Sequence, residues 1–149
     1  AAFQNLRSWL KPDGRFAFAV WGAPANNPWM GIVRETVAQF IDLPQPEPDQ
    51  PGPFRYADAE AFVALLTSAG FHKVKVQTWS GRLQLGGGLP APDAADFGLS
   101  AFSIGQKLKP DSPERSQALE QLSNALSDHE KAGVVSMQAE VHIVTGRVT

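Results

Sequence analysis

The side chains able to do acid–base, nucleophilic or metal chemistry are few in this chain, and they stand far apart. Three histidines, His72, His129 and His142, share no ligand spacing, so no metal site is expected. There is no cysteine, which removes disulfides, thiolate ligands and a thiol nucleophile together. Asp93 and Asp96 are i, i+3 neighbours, but near a helix start they favour its positive dipole end and need no catalytic role. Gly86-Gly87-Gly88 opens no close strand-to-helix turn, and neither a nucleophile elbow nor a phosphate loop is present. The spacing therefore assigns no catalytic residue.

One short stretch is instead rich in packing and hydrogen-bonding groups: Trp21, Asn26, Asn27, Trp29 and Met30. Indole rings pack flat molecules or face a cation. Carboxamides both donate and accept hydrogen bonds. Each residue also has a plainer reading. Trp21 ends a strand, Trp29 lies on the apolar stripe of a helix, and Asn26-Asn27 before Pro28 makes an ordinary turn and cap.

The elements that position this stretch are legible from hydrophobic period. Phe3, Leu6 and Leu10 predict a helix over residues 1–10, stopped by Lys11-Pro12-Asp13-Gly14. Arg15–Trp21 follows with both alternating sets apolar, which predicts a strand inside a sheet covered on both faces. Residues 22–28 read as a loop. Trp29, Ile32, Val33, Val37, Phe40 and Ile41 make a helical stripe over 29–41. Five prolines over 43–53 predict a stiff surface connector. Asp58 is the expected N-cap of a helix over 59–69, with Gly70 at its left-handed end and Phe71 folding back on it. Residues 73–79 alternate polar and apolar, as a half-exposed or edge strand does, and 81–92 read as loop. Helices are expected over 93–108 and 113–131, the second closed by Gly133, making a helical insertion over about 93–132. Residues 139–148 read as a last strand. Helix, tight turn, buried strand is the rhythm of a doubly wound α/β fold.

Composition narrows the function. The 149 residues are 43% hydrophobic and 19% charged, a globular balance. Thirteen basic and 15 acidic side chains give a net charge of −2. With no basic excess, nucleic-acid binding is not expected. No apolar run approaches the roughly 20 residues that span a bilayer, so no membrane association is expected. The lack of cysteine fits a cytoplasmic protein. The chain opens Ala1-Ala2-Phe3, without Met or a signal-peptide pattern and inside an apolar-periodic segment, as a processed or partial chain would.

Leu6-Arg7-Ser8-Trp9-Leu10-Lys11-Pro12-Asp13-Gly14-Arg15-Phe16 resembles the helix and "L-K-P-G-G-R" turn into the fifth strand of class I S-adenosylmethionine-dependent methyltransferases. The nearest branch is that of ubiquinone and menaquinone biosynthesis, and Asp13 stands where its pattern has a first glycine. Trp21 resembles a recurrent Trp closing that strand. Pro53-Phe54, Asp58 to Leu66, and Ala69-Gly70-Phe71 with Val74 and Val76 resemble the passage into the sixth strand. Val144-Thr145-Gly146-Arg147 resembles the closing strand, so the likeness covers nearly residues 1–149.

The resemblance implies the C-terminal half of a Rossmann-like methyltransferase fold: three last strands, the final one antiparallel, flanked by helices and carrying helical insertions. It implies methyl transfer from S-adenosylmethionine to a small-molecule acceptor. Trp21, Asn26, Asn27, Trp29 and Met30 then fall where the acceptor pocket forms. The family's Gly-rich donor loop and its acidic ribose-binding residue have no counterpart among these residues, so the chain supplies the acceptor side and is not expected to bind the donor alone. Two other readings stand beside this one. A non-catalytic α/β binding or dimerisation module would cover its open sheet edge with a second copy of the chain. A piece of a dinucleotide-dependent oxidoreductase would show the same strand rhythm.

Overall fold

The computed structural model describes residues 2–45 and 50–148. In chain order these form α1 (Ala2–Ser8), β1 (Arg15–Trp21), α2 (Pro28–Val37), α3 (Ala59–Ser68), β2 (Phe71–Gln84), α4 (Ala91–Ala101), α5 (Pro113–Ser127), β3 (Glu130–Lys131) and β4 (Val134–Val148). Short 3-10 turns occupy Pro24–Asn26, Leu85–Gly87 and Gly105–Lys107. The fold is mixed α/β around an open antiparallel sheet of four strands, with the path β1-β4-β2 and β3 paired to β4. β4 runs antiparallel to β1, placing Arg147 opposite Arg15 and Val141 opposite Trp21. Among the described residues no helix is long and apolar enough to cross a membrane.

The chain divides into two compact units. The first takes Ala1–Asn26, Glu47–Ser80 and Glu140–Thr149, and the second takes Asn27–Pro46 and Gly81–Ala139. In the first unit, Phe62 and Leu66 of α3 join Phe71, Val144 and Val148 in a buried cluster, against which Phe3, Phe16, Phe18 and Tyr56 pack. Phe16 and Phe71 meet edge-on at 4.6 Å and Tyr56 stacks on Phe62 at 4.7 Å, arrangements that add to plain area burial. In the second unit, Val33 and Val37 of α2, Leu99 of α4 and Leu122 and Leu126 of α5 are fully buried.

Local chemistry explains the element ends. The Gly14 amide donates to the Lys11 carbonyl at 2.8 Å, closing the Lys-Pro-Asp-Gly turn with Asp13 at φ 60. A left-handed residue at the third position of such a turn is most often glycine, and aspartate is among the few others that tolerate it. Asp58 caps α3 as expected, its Oδ1 accepting from the Ala61 amide at 3.0 Å. Gly70 then stops that helix at φ 91. The α4 N-terminus is capped from a distance: the Ala91 amide donates to the Glu130 carboxylate at 2.7 Å.

Several expectations give way. β1 is not covered on both faces: Phe16, Phe18 and Val20 face the first unit's core, while Arg15, Ala17 and Ala19 are exposed. Alanine satisfies an apolar pattern but demands little burial, so the pattern overstated the cover. The strand expected over 73–79 continues to Gln84, and the following glycines form a 3-10 turn rather than a long loop. The helix expected over 93–108 ends at Ala101, because the chain doubles back so tightly that a Cβ at Gly105 would overlap the Leu99 backbone. Gly133 does not close α5. With Ala132 at φ 51 and Gly133 at φ 76, it makes the two-residue turn that joins β3 to β4. The proline-rich connector over 43–53 falls partly on residues 46–49, outside the described residues; residues 50–56 form turns and bends.

Candidate functional site

The C-terminal end of β1 gathers a polar constellation inside the first unit. One step past the Trp21–Val141 pair, the Gly22 amide donates to the Glu140 carbonyl at 2.8 Å. The chain then makes its 3-10 turn over Pro24–Asn26, in which the Asn26 amide donates to the Ala23 carbonyl at 2.9 Å. That turn carries Asn26 back to β4, where its Nδ2 donates to Glu140 Oε2 at 3.0 Å. Gly22 is buried, and a Cβ there would overlap the Glu140 carboxylate. Glycine at 22 is therefore what allows the carboxylate to lie across the end of β1.

The result is a half-buried carboxylate oriented by a carboxamide, while the half-buried Trp21 pairs with Val141 and so projects from the other face of the sheet. Loops leaving strand ends can vary without disturbing the sheet, which is why binding groups are so often found on them. An oriented carboxylate can accept a hydrogen bond or a proton from a ligand hydroxyl or amine.

The five sequence candidates are divided between the two units. Trp21 and Asn26 belong to the first unit, where Asn26 donates to Glu140 and Trp21 pairs with Val141. Asn27, Trp29 and Met30 belong to the second unit. In it, Asn27 and Trp29 are 1% and 3% exposed, and Trp29 Nε1 donates to Asn27 Oδ1 at 3.2 Å. The Trp29 ring also packs on Phe102, with centroids 5.5 Å apart. Met30 is half-buried at the start of α2.

Glu140 escaped the sequence reading. It is one acidic residue at the edge of a β-rich run, and only the pairing register sets it opposite Gly22. Asn26 was visible as a residue, but its partner lies 114 positions away. The three histidines stay apart. His72 is exposed and His129 sits at the end of α5. His142 is buried, with Nε2 donating to the Ala57 carbonyl at 3.1 Å and Nδ1 3.0 Å from the Thr78 hydroxyl. Among the described residues no group of three His, Asp or Glu side chains gathers to hold a metal ion.

The residues present do not fit S-adenosylmethionine. Gly86, Gly87 and Gly88 have positive φ but cap β2 with a 3-10 turn, and a Cβ at Gly86 would run into Leu89 and Phe97. A glycine turn packed against apolar side chains is no cradle for a charged amino acid. No step is therefore routed through the donor by this chain's own residues. Compared with protein-family models and with curated proteins, the chain matches none.

Proposed function

We propose that this chain is the acceptor-side half of an S-adenosylmethionine-dependent methyltransferase and that it binds a small acceptor at the C-terminal end of β1. The observation that supports this most is topological. The last strand enters between β1 and β2 and runs antiparallel to β1, which itself follows directly on the Lys-Pro-Asp-Gly-Arg turn. An antiparallel final strand is what the sequence resemblance implies for the end of a methyltransferase sheet.

Methyl transfer asks little covalent chemistry of a protein. It needs a nucleophile held in line, with water excluded and its proton taken away where it has one. A companion donor-binding half would supply the electrophilic methyl group. This chain would supply the rest: Trp21 to pack the acceptor, and the Glu140 carboxylate, fixed by Asn26, to take up the acceptor's proton. The chain lacks the donor loop, so calorimetric titration of S-adenosylmethionine into the 149-residue chain should give no binding heat. Joined to a donor-binding half, the same chain should transfer labelled methyl to a small acceptor. Donor binding by the 149 residues alone, or no transfer after joining, would each defeat the proposal.

A second reading is supported by a different observation. β1 stands at the end of the path β1-β4-β2, with a strand neighbour on one side only among the described residues. Such an edge is a template for pairing with another chain. A dimerisation module would sediment at twice the monomer mass at micromolar concentration, whereas the acceptor-side half should be monomeric or aggregate without a defined stoichiometry.

A further inference from the structure

The uncovered face of the first unit's sheet, at the opposite end of β1 from Glu140, carries an open cavity of about 760 Å³. Its walls include Arg15 and Ala17 of β1, Lys73 and Lys75 of β2, and Thr145 and Arg147 of β4. Four of its lining residues are cationic and none is acidic. This stands against a chain whose net charge is −2. None of the four forms an ion pair with a carboxylate among the described residues, where the Arg115–Asp96 pair is formed in the second unit.

Two structural features make the cluster more than scattered surface lysines. Arg15 and Arg147 are direct cross-strand partners, so they project side by side from the same face. Like charges directly opposite on a sheet destabilise it, and an anion between them reverses that sign. The second feature is the backbone of β2. Phe71 and Val74 both reach the core although they are three residues apart, a spacing that would put them on opposite faces of a regular strand. Lys73 absorbs the extra residue with φ 52, a left-handed conformation that lysine rarely adopts. The irregularity turns both Lys73 and Lys75 toward the Arg15–Arg147 pair. Strain of this kind clusters at ligand sites.

We propose that this cavity is a binding site for the phosphate groups of a small phosphorylated molecule, separate from the Glu140 site and independent of what that site does. The two guanidinium forks match phosphate oxygens in pairs, the two ammonium groups add point charge, and the Thr145 hydroxyl adds a neutral donor. Four cations suit a diphosphate better than a single phosphate. The cavity is too compact and too isolated in charge to track a nucleic-acid strand, which needs a continuous basic groove.

The test is calorimetric titration of inorganic pyrophosphate into the 149-residue chain at low salt. Pyrophosphate should bind at one site per chain. The double variant Arg15→Gln, Lys75→Gln replaces two exposed residues and should weaken it roughly tenfold or more, as loss of charge-assisted hydrogen bonds does. The control variant Lys107→Gln, Lys109→Gln should leave the affinity unchanged. Circular dichroism should show the same fold for all three proteins, and a single variant, Lys75→Gln, serves if the double variant unfolds. Equal weakening by both pairs would mean a general charge effect and overturn the proposal. So would no pyrophosphate binding at all, or a short single-stranded oligonucleotide that binds more tightly than pyrophosphate.

Discussion

The contact between Asn26 and Glu140 depends on a residue that makes no side-chain interaction at all. Gly22 leaves the space that the carboxylate occupies. Gly22→Ala should therefore push Glu140 out of reach of Asn26 without touching the core, because the carboxylate is the movable partner. In a reconstituted methyltransferase, Glu140→Gln should lower kcat by roughly 10²–10⁴-fold, the usual worth of a positioned base, and leave acceptor KM close to normal. An unchanged kcat would remove Glu140 from the chemistry. Trp21→Ala should instead raise the acceptor KM. His142 offers a contrast, since its two ring nitrogens meet Ala57 and Thr78 inside the fold. His142→Phe keeps an aromatic ring but takes the donor from the Ala57 carbonyl, and should destabilise the protein by about 1–2 kcal/mol in urea unfolding. If the variant is as stable as the parent, the histidine is kept for something other than structure.

At the scale of elements, the turns and caps are set by a few backbone requirements. Asp13 at φ 60 occupies a position that glycine fills without strain. Asp13→Gly should be neutral or stabilising by up to about 1 kcal/mol, and a clear loss of stability would show that the Asp13 side chain is needed. Asp58→Ala removes the acceptor for the Ala61 amide and should cost about 1 kcal/mol by chemical denaturation. Gly133→Ala places a Cβ on a residue at φ 76 in the β3–β4 turn, and should cost about 1 kcal/mol although nothing crowds the site. A loss of that size with open space around the residue isolates the backbone term from packing.

At the scale of the whole molecule, the chain builds two hydrophobic cores from interleaved segments. β2 and β4 each pass from one unit into the other without a linker, between Ser80 and Gly81 and between Ala139 and Glu140. Loss of a fully buried leucine costs about 2–5 kcal/mol. Leu66→Ala in the first core and Leu122→Ala in the second should each shift one cooperative melting transition, because the strands that carry one core also carry the other. Two resolved calorimetric transitions, with each variant moving only one, would show that the strands break at those crossing points. The uncovered sheet face belongs to this scale too. Its alanines bury little, and its charged end repels a purely apolar cover.

Much of the local structure was legible without coordinates. Arg15–Trp21, the Asp58 cap and the Gly70 stop follow from period and turn chemistry, which act over a few neighbouring residues. The Lys-Pro-Asp-Gly turn and the α2 stripe through Trp29, Val33 and Val37 were equally plain, whereas the apolar residues of α3 included Leu65, which the fold leaves exposed. Where the sequence misled, the deciding force came from far along the chain. Gly133 looked like a helix stop and became a hairpin turn because Glu130 and Lys131 found Val135 and Val134. Trp29 and Asn27 allowed a packing-and-cap reading beside a pocket reading, and the fold buries both, with Trp29 donating to Asn27. Glu140 looked like one charge in a strand, and the register alone set it against Gly22 and Asn26. The four cations at the other end of β1 come from three strands, so no window of sequence shows them together. Charge and chemistry add in space, and only the pairing of β1, β4 and β2 decided which of these residues share a site.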